Sequence, residues 1–167
     1  IPIMERSCYQ LQENNCITAV SRQDINTKTG AYWIEIASAT AAELTAELTT
    51  LNLHPLIIQD CLTPGYSTMI DRYETAVYTE FPINQIEPYG RTTYLSSILI
   101  PNLLITIRQG DLPGMDTVSN LLQNEDFMYG NDLRALSYHI LSYFIGKELT
   151  AVRRLRDQVD ALTREFE

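Results

Sequence analysis

Apolar residues recur down the last third of the chain at helical spacing. Leu141, Ile145, Leu149, Val152, Leu155, Val159, Leu162 and Phe166 follow one another at steps of four, four, three, three, four, three and four. Such steps keep one stripe along a helix, and the later ones approach a coiled-coil seam. From about Asn131 to Glu167 the pattern predicts a single helix, ~55 Å long at ~1.5 Å per residue, which is longer than a small globule needs. No Gly or Pro follows Phe166 to cap it. Leu133 to Leu149 is expected to lie on the domain's own core. Val152 to Phe166 is expected to leave it as a stalk, because Arg153, Arg154, Arg156, Asp157, Asp160, Arg164 and Glu165 leave only a narrow apolar seam. The uncapped end and the Ile-Pro-Ile beginning read as a fragment at both ends.

Ahead of this helix the periods are shorter. Residues 5–12 and 15–21, around Glu13-Asn14-Asn15, read as strand, turn and strand. Gln23 to Gly30 is a polar loop, and Ala31 to Ile36 alternates as a strand in which Trp33 reads as core packing. Thr40 and Glu43 have the spacing of a capping box, and Leu44, Leu48 and Leu51 give the following helix one apolar face. Pro55 suits the first turn of a second short helix, after a sharp break at Leu53-His54. Thr63 to Ser67 is a loop, Met69 to Phe81 leads into a strand centred on Ala76-Val77-Tyr78, and Asn84 to Gly90 is a polar connection. Thr93 to Ile100 and Leu103 to Arg108 form a hairpin around Pro101-Asn102. Met115 to Leu122 is a helix, and Asn131 or Asp132 is the N-cap of the last one.

Composition narrows the class. The 167 residues support one domain with a real core plus the helical extension, and 45% hydrophobic content is that of a globular chain. A net charge of −9 repels nucleic acid and anionic headgroups, and attracts cations without selectivity. No run is long and apolar enough to span a bilayer; Leu95 to Ile107, the nearest, reads as a hairpin. Cys8, Cys16 and Cys61 are odd in number and lack Cys-x-x-Cys spacing, which points to a reducing compartment and away from structural zinc. They read as small packing residues or ordinary exposed thiols.

Candidate chemistry is sparse, and no enzyme is expected. The chain has no Gly-x-Ser-x-Gly elbow, no phosphate-cradling glycine loop and no paired histidines for zinc. His54, beside a helix start, reads as a cap or a packed ring; His139 reads as a surface or interface residue. Among the carboxylates, Asp60 ends the Pro55 helix, and Asp71 and Glu74 follow one loop later. One or two acids facing a partner surface suffice for a weak, water-mediated Mg²⁺ or Ca²⁺ site, since Mg²⁺ keeps several of its waters.

The order of segments carries more. Trp33-Ile34-Glu35-Ile36, a helix, Leu53-His54-Pro55-Leu56-Ile57-Ile58-Gln59-Asp60, a strand after Tyr73, a hairpin ending Ile105-Thr106-Ile107-Arg108 and a long terminal helix resemble the cytosolic N-terminal domain of CorA-type magnesium transporters. The likeness runs from Tyr32 onward. It departs at Gln59, where the family usually has a first acid before Asp60, and at Ser67-Thr68-Met69, where the family has a basic Arg-Pro-Lys loop. The resemblance implies an α/β (α+β) fold: a mixed β-sheet flanked by helices in a layered sandwich, then a long C-terminal stalk helix. It implies a sensor domain over 1–130, with 131–167 as the start of a stalk that stops before two membrane helices and a Gly-Met-Asn pore motif. The full protein is then a homopentameric channel, with this part on the cytoplasmic face of the inner or plasma membrane, joined to the bilayer only through later segments. Asp60 is implied to hold half of a regulatory Mg²⁺ site shared with a neighbouring protomer, so weak or no specific binding is expected of the fragment alone. A dication between two carboxylates offsets their repulsion and favours the closed ring. A zinc-transporting branch of the same superfamily, and a scaffold module whose helix pairs with a partner coiled coil, are the alternative readings.

Overall fold

The computed structural model describes residues 4–14, 16–65, 68–85, 91–124 and 132–165. Within them one seven-stranded mixed sheet carries helices on both faces. The strands are β1 (Glu5–Leu11), β2 (Ile17–Val20), β3 (Tyr32–Ala37), β4 (Met69–Tyr73), β5 (Ala76–Gln85), β6 (Arg91–Ile100) and β7 (Leu103–Arg108), ordered β2-β1-β3-β7-β6-β5-β4. Only β3 and β7 pair in parallel; every other pair is antiparallel. The helices are α1 (Ala41–Thr50), α2 (Pro55–Leu62), α3 (Met115–Asn124) and α4 (Leu133–Glu165).

The layers follow from strand period. Tyr32, Ile34 and Ile36 of β3, with Leu103, Ile105 and Ile107 of β7, face α1 and α2, where Leu44, Leu48, Ile57 and Cys61 close over them. Trp33 and Leu104 face the other way, toward Val118 and Leu122 of α3 and Leu136, Ile140 and Phe144 of α4. Trp33 is core packing as expected, and its indole N–H donates to Thr106 Oγ1 at 2.8 Å. The alternation read in β3 predicts one wet face, yet all six residues are buried, because helices cover both sides. The polar Glu35 is accommodated by Arg108, whose Nε donates to its carboxylate at 2.9 Å. Burial pushes the Glu35 carboxyl upward and the Arg108 charge pulls it back.

Local signals fixed most ends. Thr40 Oγ1 accepts the Glu43 N–H at 3.2 Å while the Glu43 carboxylate accepts the Thr40 N–H at 2.8 Å, completing the capping box on α1. Asp132 caps α4: its Oδ1 accepts the Ala135 N–H at 2.8 Å, and that bond holds its carboxyl below the usual range. Asn102 turns the β6–β7 hairpin at φ 62° and donates from its amide to the Thr27 carbonyl at 2.9 Å.

Three expectations needed correction. The strand expected around Ala76-Val77-Tyr78 is β5, but the lead-in from Met69 is a strand of its own, β4, joined to β5 in a hairpin turned by Glu74 at φ 46°, a left-handed position usually given to Gly, Asn or Asp. The polar connection read from Asn84 begins later, since β5 runs to Gln85. Pro82 is tolerated beyond the last β4 partner, where β5 has become an edge. Finally, the stripe expected along the whole of α4 divides in two. Leu133, Leu136, Ile140 and Phe144 are buried on the sheet, whereas Ile145 and Leu149, drawn from the predicted stripe, are 45% and 50% exposed. The two faces are offset by one residue, or ~100° around the helix. Every described residue from Val152 onward is exposed, as expected of a segment leaving the core. Asn15, Tyr66, Ser67, the connection over 86–90, the linker 125–130, the alternative cap Asn131 and Phe166 lie outside the described residues.

This division predicts unequal costs along one helix. Leu136→Ala should destabilise the domain by about 3 kcal/mol, and Leu155→Ala by no more than about 0.5 kcal/mol, in urea unfolding of the chain. Equal losses at the two positions would contradict the assignment of faces.

Candidate functional site

The candidate acid Asp60 sits on α2, and the local sequence explains how α2 presents it. Pro55 occupies the first turn, where its missing N–H has no partner to lose. His54 is a cap and a packed ring together: Nδ1 accepts the Leu56 N–H at 3.2 Å, and the imidazole stacks on Tyr73 with centroids 5.4 Å apart. Ile57 and Cys61 point into the sheet and are fully buried, which leaves Asp60 half-buried at the flank. At its C-terminal end α2 is tied to the end of β7, where Gln109 Nε2 donates to the Cys61 carbonyl at 2.6 Å.

Beneath this flank lies β4, the edge of the sheet. Its register puts Asp71 opposite Tyr78 and Tyr73 opposite Ala76, so both Asp71 and Tyr73 face α2. The Tyr73 hydroxyl donates to Asp60 Oδ2 at 3.0 Å, and Asp71 Oδ2 lies 3.4 Å from that hydroxyl. A phenol has one proton, so it serves one of the two acids at a time. The hydrogen bond to Asp60 above all, then burial and the two carboxylate charges, push the Tyr73 phenol up to about 12. The Cys61 thiol is also pushed up to about 12, first by burial and then by Asp60 and Glu80. Cys61 is therefore an inert packing residue, as the sequence allowed. Glu80 lies on the same side of β5, 2% exposed.

The arrangement concentrates negative charge. Among the described residues no ion pair joins Asp60 to a basic side chain, and no three His, Cys, Asp or Glu side chains converge closely enough to hold a metal ion by themselves. What the site can do is hold a hydrated cation loosely, or supply part of a site completed from outside. Glu74, named with Asp60 and Asp71, stands exposed at the β4–β5 turn and takes no part. His139 packs edge-on to Tyr138 at 5.7 Å, far along α4. Sequence reasoning missed Tyr73 and Glu80. The signal for Tyr73 was the two-residue step from Asp71, legible only once β4 is recognised as a strand of its own.

A family model described as CorA-like Mg²⁺ transporter protein matches residues 28–167. The chain belongs to that family. No curated protein matches it. Among solved structures, full-length CmaX aligns with a TM-score of 0.79 at 13% identity, covering 93% of this chain and 49% of that one. The soluble domain of CorA from Methanocaldococcus jannaschii aligns at 0.77 and 17% identity, covering 99% and 65%. The ZntB cytoplasmic domain from Vibrio parahaemolyticus RIMD 2210633 aligns at 0.75 and 11% identity, covering 94% and 64%. The fold is thus shared with the CorA soluble domain and the ZntB cytoplasmic domain, and the chain spans about half the length of the full-length CmaX structure. No helix among the described residues is long and apolar enough to cross a membrane.

The bridging phenol gives a direct test. In a spectrophotometric titration, Tyr73 should ionise near pH 12, later than unperturbed tyrosines, and Tyr73→Phe should remove that step while leaving the still later one of buried Tyr78. If the variant instead loses a tyrosine that titrates near 10, the Asp60–Tyr73 bond does not persist in solution.

Proposed function

We propose that this chain is the cytosolic regulatory domain of a CorA-type divalent-cation channel, sensing Mg²⁺ through Asp60. Membership of the family and the shared fold support the transporter context. The observation that carries the sensing role is the placement of Asp60: at the flank of α2, half-buried, fixed by Tyr73, next to a second acid and with no basic partner among the described residues. A carboxylate paired in this way with another acid gains from a dication, because the ion offsets their mutual repulsion. In the reading we favour, the remaining ligands come from a neighbouring protomer of a homopentamer, and the bound ion holds the ring closed when cytosolic Mg²⁺ is high. Losing the ion shifts the population toward the open ring. The domain then lies at the cytoplasmic face of the cell membrane, joined to it through other parts of the protein.

The zinc-transporting branch is the second reading. It is favoured by the alignment with the ZntB cytoplasmic domain, whose TM-score is close to that of the CorA soluble domain. Flux of Mg²⁺ against Zn²⁺ through the intact protein separates the two.

In the intact protein, Asp60→Asn should raise the Mg²⁺ concentration giving half-maximal protection from protease by about tenfold, the equivalent of ~1.4 kcal/mol. Unchanged protection would reduce Asp60 to an ordinary helix-end acid.

A further inference from the structure

Glu80 is the one buried carboxyl beside the site that the sensing role does not use. Strand register puts its side chain on the α2 face of the sheet, opposite Met69 of β4 and Ser96 of β6. It is 2% exposed, and Oε1 has no hydrogen-bond partner among the described residues. The carboxyl accepts the backbone N–H of Gly65, in the loop that leaves α2, and a Cβ added to Gly65 would stand 3.7 Å from Oε2. The groups facing it are acidic or neutral: Asp60 and Cys61 from α2, Tyr78 from its own strand, Ser96 from β6 and Met69 from β4. None is basic. Tyr78, whose hydroxyl lies 3.3 Å from Ser96 Oγ, is itself pushed upward by burial.

A bare carboxylate with an orphaned oxygen is costly in such a place, and an adjacent negative charge adds to the cost. Burial first, and the Asp60 charge after it, accordingly push the Glu80 carboxyl above the usual carboxylate range, against the pull of the Gly65 N–H.

We propose that Glu80 holds a proton which a divalent cation arriving at Asp60 expels, so that cation binding and proton release are linked. This rests on the reading of Asp60 as a cation site. The O–H bond of Glu80 breaks, the proton leaves to water, and the new carboxylate is offset by the charge at Asp60. Linkage is reciprocal: what the cation does to the proton, acidification does to the cation. The carboxylate also accepts the Gly65 N–H more strongly than the neutral acid does, so ion occupancy tightens the loop after α2 onto the sheet. The sensor is thereby weaker at low pH, a regulation of the Asp60 site by protons.

A carboxyl whose folded-state value is raised stabilises the fold fully below its unfolded value, and that contribution is lost as pH rises through the folded value. Melting temperature of the metal-free chain, followed from about pH 5 to pH 8, should therefore fall relative to Glu80→Gln, by on the order of 3 °C. Gln is the isosteric mimic of the protonated acid and keeps an acceptor for Gly65. In the intact protein, the Mg²⁺ concentration for half-maximal protease protection should be about fivefold higher near pH 5 than near pH 8, and Glu80→Gln should abolish that difference. Parallel melting profiles for the chain and Glu80→Gln would show that no proton is held there and overturn the proposal. So would a protection midpoint that ignores pH in the unsubstituted protein; if Asp60→Asn still shifts that midpoint, the Asp60 reading survives alone. A midpoint that Asp60→Asn leaves in place removes that reading and the linkage with it.

Discussion

The parallel pairing of β3 and β7 constrains everything else in this domain. Parallel neighbours need a long crossover, and here residues 38–102 supply α1, α2 and the antiparallel run β4–β6 before the chain returns. Parallel strands at the centre of a sheet are also buried on both faces. Ile34, Ile36, Ile105 and Ile107 require α1 and α2 above them, while Trp33 and Leu104 require α3 and α4 below. The crossover thus places α2 on the β4–β5 side of the sheet, and it is there that Asp60 meets Asp71 and Tyr73.

How much of this could be read from residues alone depended on whether the signal was local. The capping box at Thr40 and Glu43, the proline that opens α2 and the Pro101-Asn102 turn act over a few residues, and each stands where the sequence put it. The β4–β5 hairpin did not announce itself, because Glu74 turns it without a Gly, Asn or Asp. The docked face of α4 was misassigned for a different reason. A helix with apolar residues at both 140 and 141, and at both 144 and 145, offers two stripes, and only the packing against Trp33 and Leu95 chooses between them. The acid at 60 was legible through a resemblance; its phenol partner at 73 and the buried acid at 80 come from strand register, which no single stretch of sequence records.

Among the described residues, no basic side chain pairs with Asp60. Elsewhere the same fold neutralises its buried acids with arginine: Glu47 is held by Arg6 and Arg22 at 2.7 and 2.8 Å, and Glu35 by Arg108. The contrast has a physical meaning. A fixed guanidinium occupies the place a mobile cation would take; Glu35 and Glu47 have one, and among the described residues Asp60 has none.

The helix α4 adds a mechanical property to this electrostatic one. Its apolar anchor ends at Phe144, and Gly146 follows with nothing within 4 Å of where a side chain would begin. The remaining turns to Glu165 extend ~30 Å beyond the anchor at ~1.5 Å per residue. Such a rod is a lever. Tilting it by about 5° at its seat carries its far tip through ~3 Å, a displacement comparable to half a helical turn. Any small readjustment of packing at the sheet would be enlarged at the far end of the helix.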